Sequence, residues 1–126
     1  MEKSIIHTPD APEPIGPYSQ AVRANGLLFV SGQIAMDPST GELLTANIQT
    51  ETTRVMENLK AILETAGIRF SHVVKTTIFL SDMGHFGAVN DVYGKYFTGK
   101  YPARETVAVK TLPKNVNVEI SVIAAL

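Results

Sequence analysis

The chain is 126 residues long with 44% hydrophobic content, enough for one compact domain, residues 1–126, with a core of its own. A formal net charge of −1 supplies no global basic field, so neither nucleic acid nor an anionic membrane is expected as a partner. The lack of cysteine removes disulfides, thiolate nucleophiles and thiolate metal sites; with no run near the ~18 apolar residues of a membrane span and no apolar leader after Met1, a cytoplasmic protein is expected.

In chain order, residues 3–6 read as a short edge strand. Residues 8–19 carry four prolines and a glycine, which makes them a loop and excludes a helix or central strand. Gln20 to Ala24 and Leu27 to Ile34 read as two strands joined by Asn25-Gly26, a pair that accepts positive φ at both turn positions. Asp37-Pro-Ser-Thr-Gly is a polar turn. Residues 48–66 are helical: Ile48, Val55, Met56, Leu59, Ile62, Leu63 and Ala66 form an apolar stripe, and Gly67 follows at the C′ position. Val73 to Leu80 is a strand. A second helix is expected from Asp82 to Phe97, with Phe86, Val89, Tyr93, Tyr96 and Phe97 on one side. Gly84, Gly87 and Gly94 weaken it by roughly 1 kcal/mol each where interior, so packing must hold it.

The segment from Tyr101 to Ile120 is the most informative. It reads as a β-hairpin turning at Pro113-Lys-Asn, with Arg104 at its entrance and Glu119 in its second arm. Period-two alternation places Val107 and Val109 on one side and Arg104, Thr106, Ala108 and Lys110 on the other. In the second arm Val116, Val118, Ile120 and Val122 share a face, leaving Asn117, Glu119, Ser121 and Ile123 opposite. The expected fold class is α+β, in the order β-β-β-α-β-α-β-β, as one mixed sheet with both helices on one face. The other face, carrying Ala108 and Ile123, is then bare in a monomer, and partner subunits are expected to cover it.

Five ordered pieces resemble the RidA/YjgF family, also called liver perchloric-acid-soluble protein or endoribonuclease L-PSP. They are Ile15-Gly-Pro-Tyr-Ser, Phe29-Val-Ser-Gly-Gln-Ile, Lys75-Thr-Thr-Ile-Phe-Leu, Val89-Asn with Tyr93, and Tyr101-Pro-Ala-Arg followed by Val118-Glu-Ile. The resemblance covers nearly the whole chain. It implies a chorismate-mutase-like fold assembled as a barrel-like homotrimer, with sheets inside, helices outside and sites between subunits. It also implies cofactor-free hydrolysis of enamine and imine acids, such as 2-aminoacrylate and 2-iminobutanoate, to 2-oxo acids and ammonia. The family often has a small residue where this chain has Glu105, and several members carry cysteine at the position of Thr106. Alternation puts Glu105 on the Val107 side, away from Arg104, but near the strand start its charge could compete for Arg104 or belong to the rim.

On this resemblance Arg104 and Glu119 are the catalytic pair, and Tyr18, Ser31, Gly32, Asn90 and Thr106 bind substrate. The chemistry is consistent with those residue types. A planar guanidinium grips a carboxylate with two parallel hydrogen bonds, and a carboxylate can orient a water for attack on an electrophilic imine. Each residue also has a plainer reading. Arg104 could pair with Glu105, and Glu119 with Lys110. Ser31-Gly32 could be a bulge, Tyr18 could pack the loop onto the sheet, and Asn90 could bond a neighbouring chain. His7, His72 and His85 lack metal-site spacing, so no metal and no cofactor is expected. Three alternatives remain open: a ribonuclease, a deaminase for another unsaturated amino acid such as 2-aminomuconate, and a trimeric protein that binds small carboxylates without turnover. Along the expected hairpin Arg104 lies about 13–20 Å from Glu119, so a site shared between subunits is expected.

Overall fold

A computed structural model describes residues 2–126. Six strands form one mixed sheet: β1 (Ser4–Ile6), β2 (Ala21–Ala24), β3 (Leu27–Gln33), β4 (Val73–Leu80), β5 (Ala103–Ala108) and β6 (Val118–Ala125). Their spatial order is β1-β2-β3-β6-β4-β5. Only β4 and β5 run parallel; every other neighbouring pair is antiparallel. The helices are α1 (Ile48–Thr65) and α2 (Phe86–Gly94).

The β2–β3 turn follows from its sequence. Asn25 and Gly26 both take positive φ, at 52° and 75°, the geometry whose twist matches the flanking strands. Helix α1 starts where the Asn47 side chain accepts the Thr50 N–H at 2.8 Å and stops before Gly67 at φ 80°. Its apolar stripe, Val55, Met56, Leu59, Ile62 and Leu63, is fully buried against Leu28 and Val30 of β3 and Ile120 and Val122 of β6. Tyr93 of α2 joins the same core, and its hydroxyl bonds the buried Thr76 of β4 at 2.9 Å. Both helices thus lie on one face of the sheet.

Two expected elements are corrected. The second helix is shorter than Asp82 to Phe97. Asp82 instead caps a 3₁₀ turn over Met83–His85, and α2 ends at Gly94. Lys95, Tyr96 and Phe97 then donate to carbonyls three residues back, in a tightened last turn. The hairpin does not exist. Strand β5 pairs with β4 alone, and β6 inserts between β3 and β4. The intervening stretch, 109–117, buries Leu112 and Val116 and is longer than the two to five residues of a common hairpin loop. Lys114 and Asn115 both adopt left-handed φ there, so the expected turn residues do turn the chain, but around β4.

The lost hairpin changes which residues share a face. In the β4–β5 ladder Arg104 is level with Thr76, Thr106 with Ile78 and Ala108 with Leu80. Thr76, Ile78 and Leu80 are buried beneath the helices. Arg104, Thr106 and Ala108 therefore stand on the helix side. Glu119 is level with Phe79, and Ile123 with Lys75 and Phe29, all on the opposite, open side. Ala108 was expected beside Ile123 and is not. The open face is still strongly apolar without it, with Ile5 55%, Phe29 42% and Val107 44% exposed.

Candidate functional site

Arg104 stands at the edge of the sheet against α2. Phe86, Asn90 and Tyr93 lie at i, i+4 and i+7 on that helix, which brings them to one side. The guanidinium carbon is 5.5 Å from the Phe86 ring centroid and 5.2 Å from that of Tyr93, and Nη1 donates to Asn90 Oδ1 at 2.8 Å. Asn90 was expected to reach substrate or another chain; its partner here is Arg104 of the same chain. Arg104, Asn90 and Tyr93, with Gly94, Tyr101 and Pro102, line a cleft of about 430 Å³. Burial pushes the Tyr93 hydroxyl pKa up, and the Thr76 bond and the Arg104 charge oppose that rise.

Glu105 does not compete for Arg104. Adjacent strand residues point to opposite faces, and Glu105 pairs with Lys75 Nζ at 3.1 Å and accepts the Thr77 hydroxyl on the open side. The Thr77 hydroxyl and Lys75 hold its carboxyl below the ordinary range. Thr106 shares the Arg104 face but does not line the arginine cleft; its Oγ1 is buried with no hydrogen-bond partner among the described residues.

The open side carries the second cluster. Between Val30 and Gln33 the β3–β6 register shifts, so Ser31-Gly32 is a β-bulge. Its conformation is fixed by Ser31 donating from Oγ to the Ser19 carbonyl at 2.6 Å and from N–H to the Gln20 carbonyl at 2.9 Å. Glu119 lies directly over Gly32. A Cβ at position 32 would collide with the carboxylate, coming within 2.8 Å of its Cδ. Glu119 is half-buried, has no hydrogen-bond partner among the described residues, and burial raises its pKa above that of an ordinary glutamate. Lys110 is not its partner. Tyr18 is half-exposed. It lines a shallow depression of about 420 Å³ with Ser31, Thr77, Ser121 and Ile123, and with Gly32 a smaller hollow of about 40 Å³.

Thus the sheet sorts the expected site residues into two groups. Tyr18, Ser31, Gly32 and Glu119 gather on the open face; Arg104, Asn90 and Thr106 lie on the helix face. Along β4, Arg104 is three residues from the level of Glu119, about 10 Å, and two strand spacings of about 4.8 Å away.

Several residues that build these clusters were not expected as site residues. Gln20 is buried and ties down the proline-rich loop, donating to the carbonyls of Thr8, Ala11 and Pro12 and accepting the Thr8 N–H at 2.7 Å. Buried Glu51 of α1 accepts the N–H groups of Asn117 and Val118 at 2.7 and 3.1 Å, which fixes the start of β6 beside Glu119. Phe86 and Tyr93 had a legible signal, their i, i+4, i+7 spacing with Asn90. His7 pairs with Glu13, and His72 Nδ1 accepts the Arg69 N–H. Among the described residues no three histidine, aspartate or glutamate side chains converge as a metal site.

Fold and site together define a small α+β protein with an arginine cleft behind its sheet and a bare carboxylate in front. The family model described as Endoribonuclease L-PSP matches residues 8–126. Protein DfrA of Myxococcus xanthus is 53% identical over 126 residues, with 98% of this chain and 96% of the relative covered. The 2-iminobutanoate/2-iminopropanoate deaminase of Mus musculus is 45% identical over 122 residues, covering 97% of this chain and 90% of the relative. A crystal structure from Thermotoga maritima superposes with a TM-score of 0.96 at 51% identity, covering 100% of this chain and 98% of that one. The chain belongs to the RidA/YjgF family. No helix among the described residues is long and apolar enough to cross a membrane.

Proposed function

We propose that the protein hydrolyses reactive enamine and imine acids, such as 2-aminoacrylate and 2-iminobutanoate, to 2-oxo acids and ammonia. The observation that carries this reading is the state of Arg104. Two aromatic rings and one amide oxygen restrain it, yet among the described residues only Nη1 has a hydrogen-bond partner. The rest of its fork is free for the carboxylate of a 2-imino acid. The deaminase name of the mouse relative, at 45% identity, supports the same chemistry.

In this mechanism Arg104 fixes the substrate by its carboxylate and Glu119 orients a water against the imine carbon. The water's oxygen bonds to that carbon as the imine nitrogen takes a proton. The resulting carbinolamine collapses, the C–N bond breaks, and ammonia leaves a 2-oxo acid. The imine carbon is already electrophilic, so proximity and one general base supply the chemistry.

Glu119 and Arg104 occupy opposite faces of one sheet, so the site is composite: Arg104 comes from one subunit and Glu119 from its neighbour. A homotrimer closed on the open faces covers Phe29, Ile123 and Val107, and the composite site needs the edge strand that carries Arg104 to reach the neighbour's Glu119. The activity is tested by generating the imine in situ with a dehydratase and following its decay with and without the protein; an unchanged decay rate overturns the reading. The composite arrangement is tested by mixing Arg104→Ala and Glu119→Gln proteins under subunit exchange. Partial recovery of turnover is expected, and none despite proven exchange places both groups in one chain's contribution.

The family model's endoribonuclease description supports a second reading. A net charge of −1 weighs against it, because RNA binding draws on a basic surface.

A further inference from the structure

A second cavity exceeds the arginine cleft in volume. It measures about 670 Å³, within the range of small-molecule sites, and lies on the helix side between the end of α1 and the loop that follows α2. It shares no lining residue with the cleft around Arg104. Its apolar part is aromatic: Phe70, Tyr96 and Phe97, with the Phe70 ring 5.2 Å from Tyr96 and 5.5 Å from Phe97. Its polar part is mostly cationic. Lys60, Arg69 and Lys100 line it, against the single carboxylate of Glu64.

None of these cations has an ion-pair partner within 4.0 Å among the described residues, whereas Lys75 on the open face is paired. Glu64 stands one turn after Lys60 on α1 and tempers that one charge. Arg69 and Lys100 enter from separate loops on either side of the aromatic floor. Lys100 follows Gly99, and both take positive φ, 45° and 97°, a costly conformation for a lysine that folds the loop back at the cavity's rim. An apolar aromatic concavity ringed by unpaired cations is complementary to one chemistry: a flat ring that carries a negative group. The ring packs on Tyr96 and on the parts of Phe70 and Phe97 that line the cavity, and the anion pairs with Arg69 and Lys100.

We infer that this cavity is a second ligand site, separate from the arginine cleft, for a small aromatic anion. Such an anion could be an aryl carboxylate or a mononucleotide, so the test carries both. Binding of 2-naphthoate and of adenosine monophosphate is measured by calorimetry and by amide shifts, in Arg104→Ala protein so that the cleft cannot contribute. At least one should bind, with shifts centred on Phe70, Phe97 and Gly99. Reversing charge with Arg69→Glu and Lys100→Glu together should weaken binding about 10-fold or more, as expected for losing a charge-assisted contact. Neutral 2-naphthamide and inorganic phosphate should each bind more weakly than the aromatic anion. The inference fails if neither probe binds, if the charge reversals leave affinity unchanged, if naphthamide or phosphate binds as well, or if the shifts centre elsewhere. A folded reversal variant is verified by an unaltered thermal transition. Should the double variant not fold, Lys100→Ala alone serves, because Lys100 is fully outside the core; it should weaken binding measurably, and unchanged affinity overturns the inference.

Discussion

The two sides of this sheet treat their functional charges in opposite ways. Behind it, Arg104 is held by Phe86, Tyr93 and Asn90, all from a helix that packs into the core. In front, Glu119 is half-buried with no hydrogen-bond partner among the described residues, resting on the bare backbone of Gly32. The cation is restrained within its own chain with part of its fork left over, whereas the carboxylate is half-buried without a compensating bond among the described residues. A group kept in that state is poised to accept a hydrogen bond from something else, and its raised pKa expresses the same fact.

The sharpest way to break this contrast is Glu119→Gln. If Glu119 is the general base proposed above, its removal lowers turnover about 10²- to 10⁴-fold, with folding intact. Burial raises the folded-state pKa of Glu119, so the folded protein holds this proton more tightly than the unfolded chain does. Its contribution to stability is present at low pH and is lost as pH rises through the raised pKa. Glu119→Gln should therefore match or exceed the parent's Tm at neutral pH, with the advantage vanishing in acid. In the parent, kcat/KM should fall as pH drops through a pKa above the usual glutamate value. A lower Tm at neutral pH would show that Glu119 is a structural carboxylate.

Next in size is Arg104→Ala, with an expected loss in kcat/KM of about 10- to 150-fold for a charge-assisted contact. Arg104→Lys should recover only part, because a lysine lacks the planar fork. Full activity in the lysine variant would reduce the arginine to a point charge. Gly32→Ala comes third. It needs no unusual φ, so its effect is to displace the carboxylate, and about a 10-fold loss is expected for a mispositioned base. A crystal structure of this variant with Glu119 unmoved would sink the argument. Smallest is Glu105→Gln. The Lys75 pair is exposed and screened by solvent, so both activity and Tm should hold; a large activity loss would place Glu105 in the site.

Much of this was legible in the residues. Asn25-Gly26 marked its turn, the Val55-to-Leu63 stripe marked α1, and the alternation of Val118, Ile120 and Val122 marked a strand with one buried face. What alternation could not supply was the neighbour. The residues of β5 and β6 read correctly as strands with a reversal between them, but strand pairing is a long-range choice that period two does not encode. The cue lay in composition. Val118, Ile120, Val122 and Ala124 are almost wholly buried, as a central strand requires, whereas Arg104, Glu105 and Thr106 suit an edge. Gln20 and Glu51 were illegible for another reason: apart from the Asn117 side chain on Glu51, their partners are backbone groups, which no side-chain pattern announces.

The placement of β6 also bears on how the chain acquires its shape. It is the last strand in chain order and stands between β3 and β4, so the sheet cannot close progressively from one end. Two separate pieces, β1-β2-β3 and β4-β5, must wait with unpaired backbone along their facing edges until β6 threads between them. The decisive contacts thus join distant parts of the chain, which slows folding. Until they form, the waiting edges are the surfaces most open to wrong pairing with another nascent copy.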